Sequence, residues 1–396
     1  MKRIVKTTAL VLALLLMAAA AGIFALWHNE LASVASFRKI RARNDAHMDG
    51  AVYALNVKGG FYLEDFIAQG GVSNDSELIS FVVDHITKGL IPVHIDNPEI
   101  GCSSFTAQTA DGDALFARNY DMKKTNTCIV RTQGGNGRHA TISTADLGLL
   151  GMDADADVEG LLNKITCLVA VYAPLDGMND AGVACGVYMT YQGPEGSVVA
   201  TDQRTDRPDM TTTTFLRLVL DYADDLDEAV EIAKAYDMHD SAGTSYHYMV
   251  ADASGRSAIF EWVAGTDATD TDGSARQLVI TVSDQDAQIG ENEGSSDAQW
   301  VTNFVIQPGY YDSEEDQKGL DRYRHIGSQL AESDGVVADE RAAMDVLASV
   351  GRRSWNHGDS EHLTIHSAIY NLTDKTVDWV TNENYHDPEA WFTFAL

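Results

Sequence analysis

The chain has 396 residues, of which 45% are hydrophobic and 22% charged, and this balance excludes wholesale disorder and a collagen-like repeat. A formal net charge of −31 leaves little basic surface for phosphates, so nucleic acid is excluded as an expected partner. The acid is unevenly placed, because residues 1–101 hold nine basic and ten acidic side chains and residues 102–396 hold 19 and 49. This shift indicates that a different kind of segment begins near position 101.

The first 27 residues have the pattern of a membrane signal. Three basic residues within the first six precede residues 9–27, a run without charged or strongly polar side chains. Such a run is about long enough to span a bilayer as a helix, and it exceeds most signal-peptide cores. Residues 1–27 are therefore predicted to be a transmembrane signal anchor with an extracytoplasmic domain beyond it. The small residues at 18–22 leave a cleaved signal peptide, and hence a secreted protein, as the alternative.

Residues 28–101 are predicted to be a leader, made of a polar helical stalk over 28–48 and a helical prosegment. In the prosegment, Ser73 or Asn74 would cap a helix near residues 76–88. Five apolar residues share one face of that helix: Leu78, Ile79, Val82, Val83 and Ile86. An apolar face of this kind favours packing of the leader against the rest of the protein.

From residue 102 onward the pattern changes to that of strands. Alternating residues predict strands over 103–108, 114–119, 165–173, 182–191, 246–252, 256–263, 276–283, 364–370 and 376–381. Helical periodicity predicts helices over 213–223, 226–236, 320–332 and 339–350. This order favours layers of antiparallel sheet and helix over a doubly wound parallel fold, so the predicted class is α+β.

The four cysteines, Cys102, Cys128, Cys167 and Cys185, would allow two disulfides in three pairings in an exported protein. The apolar runs around Cys167 and Cys185 favour buried thiols instead, and no spacing matches a zinc site. Two acidic runs, at 153–157 and 267–273, lack the residues that complete a calcium loop. We therefore expect no metal and no cofactor.

Cys102 is the candidate for covalent chemistry. It follows Gly101 at the start of a predicted hairpin whose length returns Arg118 and Asp121 beside it. A thiol needs a base or positive surroundings to become a nucleophilic thiolate. An α-amine on Cys102 itself would serve, since such an amine titrates near ~8, and cleavage of Gly101–Cys102 would free it. From these residues alone, a buried structural cysteine is the alternative.

The motif Gly101-Cys102-Ser103 followed by Arg118-Asn119-x-Asp121 resembles the start of the mature chain in the choloylglycine hydrolase family. That family includes bile salt hydrolases and penicillin V acylases, and acid ceramidase and the N-acylethanolamine-hydrolysing amidase are relatives. Three later segments agree in order: DGMNDAG at 176–182, VTNF at 301–304 and DRYR at 321–324. Over residues 102–385, the resemblance implies an N-terminal-nucleophile (Ntn) hydrolase with an αββα sandwich of two antiparallel sheets between helical layers.

The resemblance implies catalytic roles for three residues of the hairpin. Cys102 would be the nucleophile, and its own amine would be the base. Asp121 would hold that amine by a charge-assisted hydrogen bond, and Arg118 would favour the thiolate. From the residues alone, an exposed ion pair between Arg118 and Asp121 is the alternative.

The resemblance implies supporting roles for three later residues. Asn179 and Asn303 would donate hydrogen bonds to the oxyanion, and loss of one such donor typically costs ~10²–10³ in rate. Arg322 would support the site electrostatically. Without the resemblance, a turn residue, a loop cap and a helix-surface residue are the respective alternatives.

The implied function is hydrolysis of a linear N-acyl amide through an acyl-cysteine that water then deacylates. An acyltransferase that passes the acyl group to an amine, and a non-catalytic extracytoplasmic binding protein, are the alternatives. The expected partner is a small N-acyl amide of the bile salt, penicillin or fatty acyl conjugate type, and a homo-oligomer stays open. Bile salt hydrolases lack the long leader, whereas acid ceramidase has one. We therefore predict a proenzyme with an anchor (1–27), a leader (28–101) cleaved at Gly101–Cys102, and an Ntn amidohydrolase domain (102–396).

Overall fold

The computed structural model describes residues 2–89, 101–192, 198–264, 272–283, 298–355 and 362–396, without the side chains of Ser354 and of several of the first 25 residues. The helices are α1 (Lys2–Ser36), α2 (Leu63–Ala68), α3 (Asp75–His85), α4 (Leu161–Thr166), α5 (Thr212–Tyr222), α6 (Leu226–Ala235), α7 (Leu320–Glu332), α8 (Glu340–Ser349) and α9 (Arg352–Trp355). The strands are β1 (Arg38–Arg41), β2 (Val52–Asn56), β3 (Gly101–Thr109), β4 (Ala114–Lys123), β5 (Thr127–Thr132), β6 (Thr141–Asp146), β7 (Asp176–Asn179), β8 (Ala184–Thr190), β9 (Asp209–Thr211), β10 (Asp237–His239), β11 (Ser245–Ala251), β12 (Ser257–Val263), β13 (Gln277–Val282), β14 (Trp300–Val301), β15 (Val336–Val337), β16 (His362–Asn371), β17 (Thr376–Thr381) and β18 (Trp391–Ala395).

The strands form two large sheets and one parallel pair. The nine-stranded sheet has the order β1-β2-β5-β6-β7-β8-β11-β12-β13. The seven-stranded sheet has the order β14-β3-β4-β16-β17-β18, and β15 also pairs with β3. Within these two sheets, pairing is antiparallel except between β2 and β5 and between β15 and β3.

The two sheets face each other, and helices cover their outer sides. Helices α5 and α6 pack on the nine-stranded sheet, whereas α7 and α8 pack on the seven-stranded sheet. Between the sheets, the Tyr188 hydroxyl donates to Ser104 Oγ over 2.5 Å. The predicted α+β class is confirmed, with layers in the order helix, sheet, sheet, helix.

Most predicted elements of residues 102–396 form where the sequence places them. Helix α7 and strand β17 have the predicted bounds, and the other three helices agree within a residue or two at each end. The strand predicted over 165–173 is wrong, because α4 and a 3-10 helix over Cys167–Tyr172 occupy that segment. All six residues of the 3-10 helix are buried, so the apolar run shows no periodicity that would separate a helix from a buried strand.

The leader is part of the folded body. The helix of the predicted stalk ends at Ser36, and the chain then enters the nine-stranded sheet as β1 and β2. The prosegment helix forms as α3, and the side chain of Asn74 caps it by accepting from the Glu77 N–H over 3.0 Å. A separate hydrophobic core joins leader residues such as Phe66 to residues of the later chain such as Tyr172.

The apolar N-terminal run lies within α1. Within the described part of the chain, no helix has both the length and the apolar character needed to cross a membrane, so the predicted transmembrane segment is unsupported.

Candidate active site

The hairpin of β3 and β4 places the predicted nucleophile. Gly112, with a φ of +95°, forms its turn, and Gln108 pairs with Ala114 on either side. The register then pairs Cys102 with Tyr120 and Gly101 with Asp121. The prediction that the hairpin returns Asp121 beside the start of β3 is therefore confirmed.

Polar side chains from distant elements hold the backbone of Cys102. Its N–H donates to Asn303 Oδ1 over 3.0 Å, and its carbonyl accepts from Arg322 Nη1 over 2.7 Å. Arg322 Nη2 also donates to Asn303 Oδ1, over 2.8 Å. The peptide nitrogen that would become the α-amine thus already lies in a hydrogen-bonded cage.

Asp121 completes this cage. Its Oδ2 accepts from Arg322 Nη1 over 3.2 Å, and its Oδ1 accepts from the Thr364 hydroxyl over 2.8 Å. Asp121 and Arg322 are both almost fully buried. A buried carboxylate and guanidinium tolerate loss of water only when paired and hydrogen-bonded, so either residue alone would be strongly unfavourable.

Arg118 lies on the other side of Cys102 and is fully buried. Its Nη2 donates to the Val187 carbonyl over 2.6 Å, and its guanidinium stacks over the Tyr188 ring at 4.1 Å from the ring centre. Within the described residues, its Nε and Nη1 atoms are buried without a hydrogen-bond partner, although Nε lies 3.5 Å from Asp176. Arg118 therefore has N–H groups available for a further acceptor.

The surroundings of Cys102 favour the neutral thiol. Burial raises its pKa to about 11 and the charge of Asp121 adds to this shift, although the positive charges of Arg118 and Arg322 act to lower it. A proton acceptor is therefore needed before the sulfur can act as a nucleophile at neutral pH.

Asn179 is the last residue of β7 and lies away from the cage. Its Oδ1 accepts from the N–H groups of Ala181 and Val183, and its Nδ2 donates to the Ala223 carbonyl over 2.8 Å. The Nδ2 of Asn303 likewise donates to the Met189 carbonyl, over 2.9 Å. Both amide donors are engaged within the protein here, so the oxyanion role of the two asparagines stays a prediction.

Three residues near the site had no role assigned from the sequence. Thr364 supports Asp121, as described, and Glu383 Oε1 accepts from the Thr364 N–H over 2.7 Å. Burial raises the Glu383 pKa to about 7, and the charge of Asp121 adds to this shift. Asp176 lies beside Arg118, and although its burial acts to raise its pKa, His366 and Arg118 hold it below the ordinary value. The only feature of the sequence that could have placed Asp176 near the site is its position in the DGMN motif.

Two cavities flank the cage. An apolar cavity of about 70 Å³ is lined by Arg118 and Tyr120 of β4, by residues of β8 and β11, and by helix α3 of the leader. A wider cleft of about 250 Å³ is lined by Gly101, Asp121 and Arg322. The first thus provides an apolar space on the Arg118 side of the cage, and the second lies at Gly101, the residue before Cys102.

Residues 108–385 match the family model described as acyl-coenzyme A:6-aminopenicillanic acid acyl-transferase. The chain belongs to this family. Membership confirms the predicted relationship with the Ntn amidohydrolases of the choloylglycine hydrolase type, and it assigns the chain to that group of enzymes. The matched region includes the predicted site residues from Arg118 to Arg322, whereas Cys102 lies just before it.

Solved structures with a related arrangement have low sequence identity to the chain. A mutant of conjugated bile acid hydrolase from Clostridium perfringens is 15% identical, covering 74% of this chain and 92% of its own, at a TM-score of 0.46. Penicillin V acylase from Agrobacterium tumefaciens is 17% identical, covering 71% and 83%, at 0.42. The Caenorhabditis elegans N-acylethanolamine-hydrolyzing acid amidase ortholog is 18% identical, covering 74% and 100%, at 0.40. No curated protein sequence matches the chain.

Proposed function

We propose that the chain is the precursor of an Ntn hydrolase that cleaves linear N-acyl amides through Cys102, after cleavage of its own Gly101–Cys102 bond. The observation that supports this most is the buried network at the Cys102 backbone, in which Asn303 accepts from the N–H, Arg322 donates to the carbonyl, and Asp121 pairs with Arg322. A structural cysteine needs no such arrangement of buried polar groups at its backbone.

In the proposed cleavage, the Cys102 sulfur attacks the Gly101 carbonyl carbon and forms a thioester. The Gly101–Cys102 C–N bond breaks. The nitrogen takes up the proton that the thiol has lost and leaves as the α-amine of Cys102. Water then hydrolyses the thioester and releases the Gly101 carboxylate. A Cβ added at Gly101 would lie only 3.1 Å from Asp121 Cβ and Oδ2, so glycine suits the crowded position.

The freed amine then serves as the base in turnover. It takes the proton of the Cys102 thiol, and the thiolate attacks the substrate carbonyl beside the buried charge of Arg118. The amine returns the proton to the leaving nitrogen, and water deacylates the acyl-cysteine. We propose that Asn303 donates to the oxyanion, which requires its amide to turn from its present partner.

The expected acyl group is apolar, because the cavity beside Arg118 has walls of leucine, valine and isoleucine side chains. Conjugates of fatty acyl, bile acid or penicillin type share this feature.

Intact-mass measurement of the purified protein tests processing and nucleophile together. We expect a new N-terminus at Cys102, absent in Cys102→Ala and retained in Cys128→Ala, which alters another fully buried thiol. Amide hydrolysis should appear only with processed protein. A fully active chain that still carries Gly101 would refute the mechanism.

Acyl transfer to an amine is the second candidate, because the matching family is described as an acyltransferase. Both reactions use the same acyl-cysteine and differ in the acceptor. Product analysis with and without added 6-aminopenicillanic acid separates them, since a transferase would form the new amide in preference to the free acid. A non-catalytic binding protein would instead remain intact and leave Cys102 unlabelled by a thiol-reactive amide mimic.

We also propose that the catalytic part lies outside the cytoplasm, exported by residues 1–27. The support is the apolar run behind three basic residues. Protease digestion of intact and of lysed cells tests this, and a catalytic part protected in intact cells would contradict it.

A further inference from the structure

Helix α3 of the leader forms one wall of the apolar cavity beside the nucleophile. Leu78, Ile79 and Val82 line the cavity, and so does Asp75, the first residue of the helix. Among the described residues that line it, Arg118 and Asp75 are the two that carry charge. The cavity therefore combines apolar walls with a cation near Cys102 and a carboxylate from the leader.

The Asp75 carboxylate has only one of its oxygens bonded. Oδ2 accepts from the Ala242 N–H over 2.6 Å. Oδ1 is buried and has no hydrogen-bond partner within the described chain. A buried carboxylate oxygen without a donor is unfavourable, so this oxygen indicates a place for a donor that the protein itself does not supply.

Asp75 also lines an adjoining groove with Asp240, Asp202, Asp272 and His239. Asp202 contacts Arg204 and His239, Asp272 contacts Arg204, and Asp240 accepts from the Thr201 N–H. The lining holds more carboxylates than basic side chains, which favours a positively charged donor at Asp75.

The cavity extends from Asp75 to the neighbours of the nucleophile. Tyr120 lines it together with Arg118, and Tyr120 pairs with Cys102 in the register of β3 and β4. Asp75 and the direct strand neighbour of Cys102 therefore border the same cavity.

We propose that Asp75 binds the far end of the acyl group of the substrate, and that this end carries a protonated amine. The carbonyl of the acyl group would then lie beside Cys102 and Arg118, and the ammonium would donate to Asp75 Oδ1. The inference rests on the proposed amide hydrolysis, and it adds the class of acyl group. It makes the leader a part of the binding site.

Matched p-nitroanilides test the inference, for example the hexanoyl and 6-aminohexanoyl amides with shorter and longer pairs. Processed wild-type protein should cleave the ammonium member about tenfold faster in kcat/KM at the best chain length, the effect of a charge-assisted hydrogen bond. Asp75→Asn should remove this preference, so that both members of a pair are cleaved with the same kcat/KM. Asp84→Asn, an exposed change on the same helix, should retain it.

Equal rates for both members in the wild type, or a preference that survives in Asp75→Asn, would overturn the inference while hydrolysis itself stands. If neither member of any pair is cleaved, the proposed function fails on these substrates. The subsite is then judged by calorimetry on Cys102→Ala with the same amides. Tighter binding of the ammonium member that Asp75→Asn abolishes supports the subsite, and equal binding of both members refutes it.

Discussion

At the scale of single residues, the candidate site depends on Arg322. Its guanidinium bonds the Cys102 carbonyl, the Asp121 carboxylate and the Asn303 amide oxygen at once. A planar fork with five donors can do this, whereas the compact ammonium of lysine reaches fewer acceptors in fixed directions. Arg322 therefore orients both Asp121 and Asn303 beside the bond at which cleavage is proposed.

Arg322→Lys should slow cleavage of Gly101–Cys102 by roughly 10–100-fold, the effect of losing one charge-assisted hydrogen bond. Gel analysis of a synthesis time course measures the rate. Arg324→Lys on the same helix, where Arg324 contacts exposed Glu314, is the control and should cleave normally. Unaltered cleavage in Arg322→Lys would argue against this orienting role.

Glu383 should make stability depend on pH. Its pKa rises from 4.5 to about 7 in the folded protein, mainly through burial. Between these values the folded state holds a proton that the unfolded state releases, so the free energy of unfolding falls as the pH rises through this window. Glu383→Gln should flatten this dependence, and exposed Glu389→Gln should not. Denaturant unfolding of the three proteins from pH 4 to 8 provides the comparison; parallel curves would contradict the expectation.

At the scale of elements, tight turns decide where the strands meet. Between β7 and β8, Gly182 has a φ of +89°, and an added Cβ would lie 2.3 Å from the Leu372 carbonyl oxygen. The turn thus brings β7 and β8 against the end of β16, and it holds Asn179 in place through the Val183 N–H. Glycine is required both by the backbone conformation and by the space.

Gly182→Ala should lower the free energy of unfolding by roughly 1–3 kcal/mol, because it combines backbone strain with a clash. Gly112→Ala is a matched control, since Gly112 has a φ of +95° and nothing within 4 Å of an added Cβ. Gly112→Ala should lower the free energy of unfolding by less than Gly182→Ala does. Thermal or denaturant unfolding measures both variants, and equal decreases would show that backbone strain alone, without the clash, accounts for the effect.

At the scale of the whole molecule, the leader and the later chain share their structure. Strand β2 pairs in parallel with β5, and a common hydrophobic core includes Phe66, Phe81 and Tyr172. Buried Arg138 joins Glu64 of the leader to Asp221 of α5. The proposed cleavage at Gly101–Cys102 would break none of these contacts.

The leader should therefore remain bound after cleavage. We expect both fragments to co-elute in size-exclusion chromatography and to separate only in denaturant. Phe66→Ala should weaken the association, because loss of a buried phenylalanine typically costs about 3–5 kcal/mol. Free leader fragment in the native wild-type preparation would contradict this.

Local pattern was sufficient for much of the later chain. The helical periodicity around Tyr323 predicted α7. The turn at Gly112 between two predicted strands indicated which residues lie beside Cys102. Both depend on contacts within a few residues, where side-chain spacing and turn residues determine the conformation.

The sequence by itself thus determined the α+β class, the hairpin that pairs Gly101 with Asp121, and, through its motifs, the family. Only the tertiary structure decided that Arg322 and Asn303 meet at the Cys102 backbone, that Glu383 supports Thr364, and that the leader completes a sheet and a cavity wall. The physical reason is that these contacts join residues far apart in the chain. Such contacts form when distant elements pack together and bury both partners, so residue spacing along the sequence does not predict them.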